Sequence, residues 1–253
     1  MRSKLRAMLF GLGGVVALTS CASRPRINVV IMDDDDRYAE QIGDVRVVIG
    51  CKPGLAEEVA LLFAHLRDLS RRGINLTDGS KVPYGWTTFS LQAVRGRLEV
   101  WEPNYEQETE RLGRPEISAS LIVDAAQRSF LSKLSVDSSE VQYDQHILVS
   151  SEAWEASEVM LFRVESPGGR MSGWRMVDPR SETDTMESVP IYEVYRRRPE
   201  FMVSLTLPPG YLVYYHAGAP SMVMDSADHI IWEDGTAAPL APTGGGTPGV
   251  AKL

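Results

Sequence analysis

The spacing of apolar positions changes several times along the chain, and each change marks an element. Val45 to Ile49 is a short run, apolar but for Arg46, and predicts a buried strand. Leu55, Val59, Leu62, Leu66 and Leu69 then recur at helical spacing, and Gly73 supplies a stop. Trp86 to Val94 and Arg97 to Trp101 are β-rich and flank Arg95-Gly96, which predicts a hairpin. A second helix is predicted over Ile117 to Leu134, with Leu121, Ala125 and Leu131 turned inward. Ser135 to Glu140 is polar and reads as a linker. Beyond it, His146 to Val149, Val159 to Val164, Gly173 to Val177, Tyr211 to Tyr215 and His229 to Trp232 predict strands. Pro190 to Arg198 predicts a short helix with proline in its first turn, and Gly168-Gly169 and Pro208-Pro209-Gly210 predict turns. Strands mixed with helices in each half imply an α+β class: two small modules of mostly antiparallel sheet with packed helices, at 44–134 and 141–234.

The two ends follow other patterns. Arg2, Lys4 and Arg6 precede Met8 to Leu18, an apolar run of about ten residues, which is a signal-peptide length and short for a membrane span. Leu18-Thr19-Ser20-Cys21 closes it. This resembles the lipobox of bacterial lipoproteins. The resemblance implies a signal peptide over 1–20, a diacylated Cys21 and an acidic tether over 21–43. Ala22, where an aspartate would retain the protein at the inner membrane, implies the outer membrane facing the periplasm of a Gram-negative cell. Two acyl chains hold stably where one holds only marginally. A plain secretory signal, a buried N-terminal helix and a downstream start at Met32 are the alternatives. Ile27 to Met32 is strand-like and ends in Asp33-Asp34-Asp35-Asp36. Four like charges in a row favour solvent, and they lack the ligand spacing and glycine of a calcium loop. Gly235 to Leu253, rich in Gly, Pro, Ala and Thr, predicts a disordered tail.

Removing residues 1–20 takes Arg2, Lys4 and Arg6 from 26 basic residues against 34 acidic ones, so the net charge moves from −8 to −11. An acidic body lacks the basic footprint that nucleic acid needs, and it does not rest on anionic lipid through its folded surface. It suits a cationic protein partner, or simply solubility. With Cys21 lipidated, Cys51 has no intrachain partner, and its place at the end of an apolar run predicts a buried, inert thiol.

Motifs for chemistry are sparse. The chain has no Gly-x-Ser-x-Gly elbow, phosphate-cradling loop, His-Glu-x-x-His or Cys-x-x-Cys, so neither a cofactor nor a metal is expected. His216 and His229 would meet if their strands paired, with Asp225 and Asp228 close by. Glu99 and Glu102 flank Trp101 at odd separation, so a continuous strand would send them to opposite faces. Two Gly-Trp steps stand out: Tyr84-Gly85-Trp86-Thr87 and Ser172-Gly173-Trp174-Arg175. Their tryptophans read either as core pegs or as binding anchors.

The stretch Ser172-Gly-Trp-Arg, a charged segment from Asp178 to Glu187, Val189-Pro-Ile-Tyr-Glu-Val and Pro208-Pro-Gly-Tyr is similar to a family of bacterial immunity proteins. That family was first catalogued as a domain of unknown function and later linked to polymorphic toxins. Met171 stands where the family has aspartate, and Val177-Asp178-Pro179 replaces an acidic step. A lipid anchor also departs from the cytosolic members. Gly85-Trp86 leading to Trp101-Glu102-Pro103 has the look of domains found beside such proteins. The resemblance implies a non-catalytic inhibitor that binds a protein toxin, expected to be basic. The expected partner-contact residues are Trp174, Arg175, Asp178, Glu182, Asp184 and Glu187, with Trp86 and Glu102 in the first module. The acidic cluster reads equally as a solvated loop. An envelope hydrolase using His216 or His229 and a scaffold lipoprotein are the competing functions.

Overall fold

In a computed structural model of the chain, the described residues are 30–31, 37–106, 113–181 and 185–234. Cys21 with the signal, the Asp33–Asp36 run, Glu182, Asp184 and the tail from Gly235 lie outside them. Two mixed, mostly antiparallel sheets with packed helices make an α+β protein.

The first sheet opens with Val30–Ile31 (β1), Arg37–Ile42 (β2) and Val45–Gly50 (β3). Ala56–Arg71 (α1) crosses over to Lys81–Tyr84 (β4), Thr87–Val94 (β5) and Arg97–Pro103 (β6), and Gly113–Arg114 (β7) pairs with the end of β6. The order is β1-β2-β3-β6-β5-β4, and only β3 and β6 run parallel, as a helical crossover requires. The predicted stripe of α1 is buried: Val59, Leu62 and Leu66, with Phe63, pack on Val47, Ile49, Phe89 and Leu91. Gly73 adopts φ +82°, and the Ile74 N–H donates back to the Leu69 carbonyl at 3.0 Å, which ends the helix. Arg95 and Gly96 both have positive φ, 49° and 80°, the backbone of a two-residue hairpin turn. The pattern reading missed β2, which falls within the stretch read as tether. Its outward positions are the polar Arg37 and Gln41, and only Tyr38, Ala39 and Ile42 are buried.

Ser118–Leu134 (α2) leads to the second sheet, built from His146–Ser150 (β8), Glu158–Arg163 (β9), Met171–Val177 (β10), Met186–Pro190 (β11), Leu212–His216 (β12), Ala219–Met224 (β13) and Ile230–Glu233 (β14). Ile191–Arg197 (α3) begins directly after Pro190, and 3-10 turns occupy Ser151–Trp154 and Pro199–Ser204. The order is β11-β8-β10-β9-β12-β13-β14, with β8 and β10 the parallel pair. Each predicted strand is present within about two residues, the usual uncertainty of an end. Met186–Pro190, part of it read as acidic loop, is the edge strand β11.

α2 serves both cores. Leu121 packs with α1 and the first sheet, while Val123, Phe130 and Leu131 pack with the second. At about 100° per residue, 121 and 123 lie roughly 200° apart, so the helix has two apolar stripes. Ala125, expected inward, is half-buried between them. Trp86 and Tyr105 cross from the first sheet into the second core, where both rings touch Tyr195 of α3 at 5.4 Å.

Candidate functional site

The Ser172-Gly173-Trp174-Arg175 step lies in β10, and each residue there has a separate task. Ser172 is buried; its hydroxyl donates to the His146 carbonyl at 2.7 Å and accepts from the Trp174 N–H at 3.3 Å. Gly173 has φ +83°, and a Cβ there would overlap the Val164 carbonyl oxygen. Only glycine fits a left-handed residue so close to another backbone. The pairing with β8 shifts register at this point, between Met171 and Arg175. Trp174 turns inward and is fully buried; its indole N–H donates to the Leu205 carbonyl at 2.8 Å. Arg175 turns the other way, exposed, with its guanidinium 5.8 Å from the Phe162 ring centre.

Beneath Trp174, Arg163 projects into the core and is buried. Its guanidinium donates to the carbonyls of Ser172 (3.2 Å), Leu207 (2.7 Å), Ser139 (3.0 Å) and Glu140 (3.3 Å). One cation thereby ties the Ser135–Glu140 linker and the turn at Pro208 to β9. Desolvation by burial lowers its pKa, although an arginine stays charged.

The other expected contact residues are spread over three places. Asp178 closes β10, half-buried, and accepts the Arg180 N–H at 2.8 Å. Glu187 is exposed on β11 and accepts the Trp154 indole N–H at 2.6 Å; Arg197 stacks over that indole at 3.7 Å. Trp86 and Glu102 are fully buried where the two sheets meet. The Trp86 indole donates to the Ser120 carbonyl at 3.3 Å and stacks on Tyr105 at 4.7 Å. Glu102 accepts from the Ser120 N–H (3.0 Å), the Ser120 hydroxyl (2.7 Å) and Arg114 (3.1 Å). Because Ser120 donates to Glu102, Tyr105 donates to Ser120 at 2.8 Å and Thr87 donates to Tyr105 at 2.6 Å. Burial raises the Glu102 carboxyl to about 7 from 4.5, against the lowering by the Ser120 bonds and Arg114. Trp86, Trp174 and Glu102 thus sit inside the molecule, and Arg175 alone of the six described looks out from the middle of a sheet.

Glu99 and Glu102 diverge as strand alternation requires: Glu99 meets Arg37 at 3.1 Å and Arg97 at 2.7 Å. His216 and His229 stand apart, because β13 lies between β12 and β14. Each is exposed and meets a single carboxylate among the described residues, Glu158 of β9 at 3.7 Å from His216 and Asp225 at 3.5 Å from His229. Among the described residues no three His, Cys, Asp or Glu side chains gather to hold a metal ion.

Sequence reading missed the company that Arg175 keeps. Leu148 and Phe162 pair with it from β8 and β9. The signal was present: Val159-Met-Leu-Phe and Tyr211-Leu-Val-Tyr-Tyr are apolar at every position, whereas a strand with one wet face alternates.

Residues 126–226 match the family model of the Imm33-like domain. The match is less than half of the chain, yet it takes in the second half of α2 and the second sheet as far as β13. The second module is therefore similar to an immunity-protein family. No curated protein and no solved structure matches the chain.

Proposed function

We propose that the protein is a toxin-neutralising immunity protein that works by binding, without chemistry of its own. The observation that carries this reading is the Imm33-like match, which covers the second half of α2 and six of the seven strands of the second sheet. Trp174, Trp86 and Glu102 shape that unit from within. Arg175, Asp178, Glu182, Asp184 and Glu187 are the proposed contacts, and the acidic balance of the chain, −8 overall, suits a toxin of opposite charge. In this reading the chain is a lipoprotein, held by acyl chains on Cys21 at the periplasmic side of the outer membrane. A toxin acting in the envelope would meet it there.

The test is capture followed by protection. The tagged full chain is exposed to the proteins its host secretes, the retained protein is identified, and that protein is expressed in a sensitive cell with and without the chain. The reading expects growth arrest by the captured protein alone and rescue by the chain. A retained protein that harms no cell, or harm that the chain does not relieve, would contradict it. Radiolabelled palmitate appearing in the wild type and lost in Cys21→Ala is the result expected of the anchor; equal label in both would remove it.

A further inference from the structure

An open antiparallel sheet ordinarily shows water a polar face, and the second sheet does not. Cross-strand pairing lines up Leu148, Arg175, Phe162, Leu212, Met224 and Ile230 in one row from β8 to β14. Met160, Tyr214 and Met222 form the next row, which ends at Glu233 on β14. None of these side chains belongs to either core, whereas the alternating Val149, Leu161, Val213 and Val223 are fully buried under the helices. The other apolar row members are half-buried, Arg175 is exposed, and Ile230 at the sheet edge is 56% exposed. The first sheet provides a control within the same chain. Its outward positions include Arg37, Gln41, Arg46, Gln92, Arg97 and Glu99 beside Ala39, Val48 and Trp101, and ion pairs join Arg37 and Arg97 to Glu99.

Two further features specify what would cover the apolar face. Arg175 lies in the row between Leu148 and Phe162, its guanidinium over the Phe162 ring, and no ion pair among the described residues uses it. Carboxylates stand at the margin instead, where Glu158 already holds Arg180 at 2.5 Å. The size fits a protein. Six strands at about 4.8 Å and two rows at about 7 Å span roughly 400 Å². That is the range in which exposed apolar patches are commonly functional, and about half of the ~800 Å² each partner gives to a stable interface. Methionine-rich surfaces adapt to the shape laid on them.

We propose that this face is where the toxin docks, and that the toxin covers it with an apolar patch carrying a carboxylate opposite Arg175. The proposal rests on the immunity reading above and assigns its interface.

The test uses full chains with benzoylphenylalanine at position 162 or 222, and at position 92 as a control on the first sheet. Each is irradiated with the toxin that the unmodified chain captures and neutralises. Crosslinks from 162 and 222 but not from 92 are expected. Phe162→Ser and Arg175→Glu should each weaken binding by at least about tenfold, with circular dichroism and melting unchanged. Crosslinks from 92 alone, or full affinity in both variants, would overturn the docking face and leave the immunity reading intact. Crosslinks from 162 to a second copy of the chain, with a dimer mass by light scattering, would assign the face to self-association and overturn the proposal. Failure of the unmodified chain to capture any toxin would remove the reading on which it rests.

Discussion

Gly173 and Gly168 have nearly the same backbone, φ +83° and +95°, in very different surroundings. A Cβ at Gly168 meets nothing within 4 Å, while one at Gly173 would drive into the Val164 carbonyl. Gly168→Ala should therefore cost only the left-handed strain, about 1–2 kcal/mol. Gly173→Ala adds a backbone collision and should cost at least about 3 kcal/mol. Urea unfolding of both variants measures the difference, and equal losses would contradict the geometry. Glu102 supplies a pH dependence. Its folded carboxyl titrates at about 7 against an ordinary 4.5, so between those values the folded chain holds a proton that the unfolded chain has released. Unfolding then releases a proton, and this group's contribution is complete below about 4.5 and declines as pH rises to about 7. Glu102→Gln should flatten that decline in denaturation measured from pH 4.5 to pH 7; an unchanged slope would mean another group sets it. The sequence indicated that Glu102 and Glu99 part company, from strand alternation alone. It gave no sign that Glu102 is buried, because its partner Ser120 is separated from it along the chain and comes from a helix.

β10 and its neighbours show why elements were easier to read than their edges. Helical spacing located α1 and α2, and apolar runs located β8, β9, β10 and β12, because each presents a buried face to one core. β2, β4, β7, β11 and β13 were missed or misread. β2 mixes polar outward positions with few buried ones, and β11 begins in an acidic stretch and ends at a proline. Those are edge or near-edge positions, where burial writes little into the sequence. The two apolar stripes of α2 were blurred into one, since both occupy a single helix. Arg163 belongs at this scale because it joins elements rather than residues. Arg163→Met keeps much of the apolar stem and strands the carbonyls of Ser172 and Leu207 in the core. A loss of about 3 kcal/mol is expected in chemical denaturation. A loss under about 0.5 kcal/mol, the level of an ordinary surface change, would show that water serves those carbonyls instead.

Across the whole molecule the two sheets are coupled by a few large rings. Trp86 and Tyr105 leave the first sheet to pack against Tyr195, and Tyr105 also meets Tyr143 at 5.9 Å. With that joint intact, secondary-structure and tryptophan-fluorescence unfolding curves should coincide. Trp86→Ala should separate them into two transitions; a single shifted transition would mean that α2 alone holds the halves together. Sequence marked Trp86 as prominent but not as a bridge, because Tyr195, which it packs against, lies in the other module. The open face of the second sheet was legible in principle, as strands without polar alternation, and its meaning appeared only once pairing placed Arg175 among Leu148 and Phe162. The central claim is that this molecule neutralises by occupying its target. Titrating the captured toxin's activity with the full chain tests that most directly. A stoichiometric inhibitor gives a linear fall that ends at about one equivalent, the signature of binding far tighter than the concentrations used. Complete loss of activity at a small fraction of an equivalent would reveal turnover, and residual activity with the chain in excess would reveal that it does not cover the toxin's site; either result would contradict the account.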